Sequence, residues 1–149
     1  PRPGPRANKG FEGLAFLPAH LSPSKRAALV VVHEGKPRRV CVFALPDLEE
    51  THAVKLPRAG KAALADLADV AVDPVTGALI LLSEESRRLA VARLDGDRLE
   101  IECLFDLPLD GKGRPEGLAF LSRDRLAVVT EGPARLVELR VARPRRPRV

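Results

Sequence analysis

Eight carboxylates stand at matching places in this sequence, and their spacing is its main chemical signal. Glu12 and Glu116 each open the same block, Glu-Gly-Leu-Ala-Phe-Leu, at residues 12–17 and 116–121. Asp66 and Asp69 flank the equivalent start of a looser copy, Ala68-Asp69-Val70-Ala71-Val72-Asp73. Glu34, Glu84 with Glu85, and Glu131 close the three apolar runs that follow these copies. Carboxylates gathered at one place repel one another, and a bound cation relieves the repulsion. Oxygen-only ligands suit Ca²⁺ or Mg²⁺ better than softer metals. Glu12, Asp66, Asp69 and Glu116 are therefore the candidate metal ligands. Glu34, Glu84, Glu85 and Glu131 are the candidate acids of the same face. The competing role for the Glu-Gly pairs is packing, with the glutamates capping free backbone N–H groups.

Other chemistries have weaker support. There is no Gly-x-Ser-x-Gly elbow for a serine nucleophile. His33-Glu34 has the residue types of a base and its orienting acid, but His33 falls at a strand end, where a structural or solvated histidine is the commoner case. Gly111-Lys112-Gly113 reads as a loop tip rather than a phosphate cradle. Lys9, Lys36, Arg38 and Arg114 are the bases placed to meet a small acidic ligand. The two cysteines, Cys41 and Cys103, lie in apolar alternating runs and read as buried or half-buried side chains. No Cys-x-x-Cys pair exists, which argues against structural zinc.

These acids must be positioned by a repeated element. With Gly13, Asp69 and Gly117 taken as equivalent, the chain repeats about every 50 residues, with about four strand-like runs per repeat. The runs are residues 12–17, 28–33, 39–45 and 52–57, then 68–73, 78–83, 88–94 and 98–106, then 116–121, 125–130 and 135–141. Asp73-Pro74-Val75-Thr76-Gly77 is a turn cluster, and Asp95-Gly96 predicts a type I′ hairpin turn. Only Lys61–Leu67 has any helical character, and it is short. The chain is therefore all-β. The period predicts a β-propeller of about three four-stranded antiparallel blades, at about 9–60, 61–110 and 111–141, the last lacking its outer strand. Propellers close with about four to eight blades. The expectation is thus a partial propeller of a six-bladed fold. The missing blades would come from the rest of a longer chain or from a second copy in a homodimer.

Composition bounds the setting. Hydrophobic residues are 45% and charged residues 30% of 149, which suits a folded domain rather than a disordered chain. The formal net charge is +5. Seven arginines near the ends, at 2, 6, 140, 143, 145, 146 and 148, exceed that excess, so the body is neutral to slightly acidic. Residues 1–8 and 142–149 are expected to be disordered, because proline removes donors and like charges repel. A nucleic-acid role is disfavoured, since Trp and Tyr are absent and single-strand binders stack bases on aromatic rings. No apolar run approaches the roughly 20 residues of a membrane helix.

In order and spacing these motifs resemble the SdiA-regulated family of bacterial β-propellers, related to propellers labelled esterase-like or phytase-like. The resemblance rests on Asn8-Lys9-Gly10-Phe11-Glu12-Gly13, the Glu34-Gly35-Lys36-Pro37 turn and Asp66-Leu67-Ala68-Asp69-Val70. It continues through Leu81-Leu82-Ser83-Glu84-Glu85-Ser86, Glu116-Gly117 and Val128-Val129-Thr130-Glu131. It covers about residues 8–141 and corresponds to the family's C-terminal half. Where the family has Ser-Gly this chain has Ala68-Asp69, and its Ser-Glu-Pro-Asn is Thr130-Glu131-Gly132-Pro133. The resemblance implies a periplasmic or secreted bacterial protein, with the cytoplasm left open. It implies a fold more firmly than a reaction.

The expected function is a binding or scaffold propeller with an acidic channel mouth that holds a divalent cation, Ca²⁺ first. The alternative is a calcium-dependent propeller hydrolase acting on phosphate esters or lactones. A metal and a base of perturbed pKa in one pocket would separate the enzyme from the scaffold.

Overall fold

The computed structural model describes residues 10–34, 36–111 and 113–142. Among them are eleven strands and one short helix. They form three antiparallel sheets, each a meander in chain order. The first holds β1 (Phe11–Leu17), β2 (Ala28–His33), β3 (Arg39–Ala44) and β4 (Glu49–Lys55). The second holds β5 (Asp69–Val72), β6 (Leu79–Ser83), β7 (Arg88–Asp95) and β8 (Arg98–Asp106). The third holds β9 (Arg114–Ser122), β10 (Arg125–Glu131) and β11 (Arg135–Arg140). The expected third sheet of three strands is present, and the strand starts fall close to the sequence reading.

The sheets pack face to face through two apolar layers. Val30, Val32, Val40 and Val42 of the first sheet meet Val70, Leu79, Leu81 and Ala90 of the second. On the other side of the second sheet, Ala71, Ile80, Leu82 and Leu89 meet Leu118, Leu126 and Val128 of the third. The second sheet is therefore covered on both faces, which is why β6, Leu-Ile-Leu-Leu-Ser, is buried at every position and reads as an unbroken apolar run. β5 lies beside both β1 and β9, so the first strands of the three sheets are neighbours.

Several details depart from expectation. The helix α1 is Arg58–Ala63, three residues ahead of the run considered helical, and it joins the first two sheets. The β7–β8 turn is centred one residue later than expected. Asp95 pairs with Arg98, and of the two central residues only Gly96 has positive φ. That is the pattern of a type II′ turn rather than I′. Cys41 is buried and Cys103 is exposed, both as free thiols. Cys103 lies on β8, the outermost strand of its sheet, where Leu104 and Phe105 are also exposed. Arg140, grouped with the basic tail by composition, ends β11 opposite Arg125. Of the ends expected to be disordered, residues 1–8 and 142–149, all but Ala142 lie outside the described residues. No helix among the described residues is long and apolar enough to cross a membrane.

Candidate functional site

The antiparallel pairing puts the start of each first strand beside the end of its second. Phe11 pairs with His33, Asp69 with Leu82, and Arg114 with Glu131. All three junctions open on one side of the molecule. There a cavity of about 690 Å³ is lined by Glu12, Glu34, Asp66, Ala68, Glu84, Arg114, Glu116 and Glu131. Six of the eight carboxylates singled out from the sequence therefore share one cavity, and every sheet contributes to it.

Arg114 stands among these acids. Its guanidinium lies 2.7 Å from the Glu131 carboxylate, 3.3 Å from Glu84 and 3.7 Å from Glu116. It thus links the second sheet to the third. Glu84, half-buried at the end of β6, has its pKa pushed up by desolvation first and then by the Glu116 charge; Arg114 opposes this, while Asp66 and Glu85 add to it. Arg114 is one of the four bases named as partners for an acidic ligand. Of the others, Arg38 donates to the Ala65 and Lys61 carbonyls instead, Lys36 is exposed outside the cavity lining, and Lys9 lies outside the described residues.

Asp66 is buried and already engaged. Its Oδ1 accepts a short bond from the Ser83 hydroxyl and another from the Glu85 N–H at 3.2 Å. The Ser83 oxygen in turn accepts from the Ser86 N–H at 3.1 Å, and the Ser86 oxygen accepts from the Ala65 N–H at 2.8 Å. This network pins the Leu81–Ser86 corner to the segment ahead of β5. Glu85 joins through its backbone and does not line the cavity.

Asp69 also stays out of the cavity lining. Its Oδ2 accepts the Leu118 N–H at 2.7 Å, its Oδ1 accepts the N–H of Val70 at 2.7 Å, and the Leu14 N–H bonds it as well. Leu14 and Leu118 follow Gly13 and Gly117, so one carboxylate of the middle sheet holds the Glu-Gly-Leu blocks of both neighbours. A Cβ on Gly13 would sit 2.5 Å from the Asp69 Cα and 2.8 Å from the Val70 nitrogen, so only glycine fits there. The repeat position suggested a channel ligand here; in the structure the side chain accepts backbone N–H groups between sheets. The signal for this was available, because Asp replaces the glycine of the other two copies.

Among the described residues, no three His, Cys, Asp or Glu side chains are grouped to hold a metal ion. The acids surround the cavity instead of meeting at a point, and as placed they do not fit a calcium ion bound directly by carboxylates. Of the His33-Glu34 pair, Glu34 lines the cavity, while His33 is stacked edge-on against Phe11 with ring centroids 5.6 Å apart.

The model of the SdiA-regulated family matches residues 3–140, nearly the whole chain. The chain belongs to the SdiA-regulated family. No curated protein matches it. The family match spans all three sheets, so the cavity of this SdiA-regulated chain is built wholly within the matched region.

Proposed function

We propose that this SdiA-regulated chain is a binding module of β-propeller architecture whose acidic cavity receives a cation. Three meanders that each start from one of three neighbouring strands are arranged as blades around an axis are. The adjacency of β1, β5 and β9 supports that reading. The cation reading rests on one observation: six carboxylates from three sheets line one cavity against one guanidinium.

The spacing of the acids selects the kind of cation. They surround an open volume, so a cation that keeps its water, or one that spreads its charge along a chain, matches them. Hydrated Ca²⁺ or Mg²⁺ and a protonated polyamine share this chemistry. An acidic ligand would have to draw Arg114 away from three carboxylates, which opposes it.

Melting curves test the proposal. Ca²⁺, Mg²⁺ and spermidine are each added in excess at low salt, against a chelated control. Binding to the folded state alone raises the melting temperature, by about 2.7 kcal/mol of stability at a hundredfold excess over Kd. At least one of the three is expected to raise it, and a Glu12→Gln, Glu116→Gln double variant is expected to lose the increment. No shift with any of them contradicts the cation reading.

A further inference from the structure

Each sheet opens its third strand with an arginine: Arg39 on β3, Arg88 on β7 and Arg135 on β11. Arg39 and Arg88 stand alike in their sheets. Val40 and Leu89, the next residues, pack forward onto the following sheet, so both arginines lie on the rear face of their own. Two of the three arginines hold an aspartate. The Arg88 Nε donates to Asp106 at 2.7 Å, and the Arg135 guanidinium donates to Asp110 at 2.7 Å. Arg39 has no such acid. Its Nε is buried and meets no acceptor among the described residues.

The missing acids can be traced in the sequence. Asp106 is the cross-strand partner of Arg88, and in the first sheet that place is taken by Lys55. The residue that stands to Gly13 as Asp110 stands to Gly117 is Arg6. Both places hold a base instead. Glu50, an acid on the same face, is bonded to the Cys41 thiol. Like charges directly opposite each other on paired strands are destabilising, and a buried donor left without an acceptor is costly. A bound anion lowers both costs.

We propose that Arg39 and Lys55 form a carboxylate-binding site on the rear face of the first sheet. A carboxylate is the group that both sister arginines take, and it matches the planar fork of a guanidinium. Arg39 is half-buried, so its guanidinium is reached from solvent while Nε sits in a dry place, where a charge-assisted bond is stronger. Lys55 is exposed and adds the second positive charge. Neither residue lines the acidic cavity, so the site stands whether or not that cavity takes a cation. The carboxylate comes from outside the described residues, on a free acid or on a peptide side chain.

The Arg39 Nε–H resonance in two-dimensional NMR, assigned by its loss in Arg39→Lys, tests this. Glutarate and a short poly-aspartate peptide are titrated at constant ionic strength, with chloride as the control. At least one carboxylate is expected to move the resonance to saturation, and chloride is not. Tighter binding of glutarate points to a free acid, and tighter binding of the peptide to an acidic segment. Lys55→Asp places an acid where Asp106 stands in the second sheet. It is expected to raise the melting temperature, to shift the resonance with no ligand added and to abolish the response. A shift that does not saturate, or that chloride reproduces, overturns the site. A Lys55→Asp protein that is no more stable and still responds overturns the reading of Arg39 as an arginine lacking its acid.

Discussion

The Asp69 carboxylate accepts the backbone N–H of Leu118 at 2.7 Å, across the junction of the second and third sheets. The same group bonds Leu14 of the first sheet. A single side chain therefore satisfies donors from three sheets at the point where their first strands converge. Backbone donors buried without an acceptor are costly, which is the reason for a charged residue in this layer.

Asp69→Ala should consequently be far more damaging than a typical surface change. It strands the Leu118 and Leu14 donors at about 1–3 kcal/mol each. A loss of roughly 2–5 kcal/mol is expected in chemical denaturation, with a loss within 0.5 kcal/mol contradicting the clamp.

The pH dependence of that clamp has a definite sign. Desolvation raises the folded pKa of Asp69 above the usual carboxylate range, outweighing the backbone bonds that lower it. A raised folded pKa means that folding favours the protonated form. Its contribution is therefore fully present below the unfolded carboxylate pKa and declines as pH rises through the folded value. Asp69→Asn should remove this component from the stability–pH curve; an unchanged slope in that window would rule it out.

Gly13→Ala should prevent native packing of the first two sheets. The added methyl would meet backbone atoms of Asp69 and Val70 at 2.5–2.8 Å, and those atoms belong to a paired strand and cannot swing aside. Loss of cooperative thermal unfolding is the expected readout. A stable, cooperative Gly13→Ala protein would show that the β1–β5 approach is looser than described.

Arg114 is the internal rival of any cation in the cavity. Arg114→Gln removes a like charge held by Glu84, Glu116 and Glu131. Cation affinity should then rise by roughly two- to fivefold at low salt, the effect of an exposed charge pair, and the gain should shrink as salt screens it. Weaker binding in this variant would mean that the guanidinium organises the site instead of competing for it.

Much of this arrangement was legible from the residues, and the reasons differ by element. The Glu-Gly-Leu-Ala-Phe block marks β1 and β9 because repeated residues meet repeated environments. Glu34, Glu84 and Glu131 were traceable to one face because antiparallel pairing returns each second strand to the start of the first. The three partners of Arg114 were not legible, since residues 84, 116 and 131 meet only when two sheets pack. The backbone partners of Asp69 were hidden for a related reason: a carboxylate at a repeat position suggests a ligand, and the N–H groups it accepts from lie across the junctions. α1 lies ahead of the expected segment because a six-residue helix is held by its surroundings and not by its own propensity.

Uptake of a cation by the carboxylates of the cavity between the three sheets should leave its signature at Glu84. Titration calorimetry at low salt, with the ligand that gives the larger melting shift, addresses it most directly when wild type is compared with Glu84→Gln across pH. Burial and the neighbouring Glu116 charge raise the pKa of Glu84 in the folded chain, so on acidification a proton competes with a cation there at higher pH than at an ordinary glutamate. Wild-type affinity should fall on acidification beginning above the usual glutamate range, with proton release visible as buffer-dependent heat. Glu84→Gln should bind more weakly at neutral pH and lose that part of the pH dependence. Binding of equal strength and equal pH dependence in the two proteins would contradict the account.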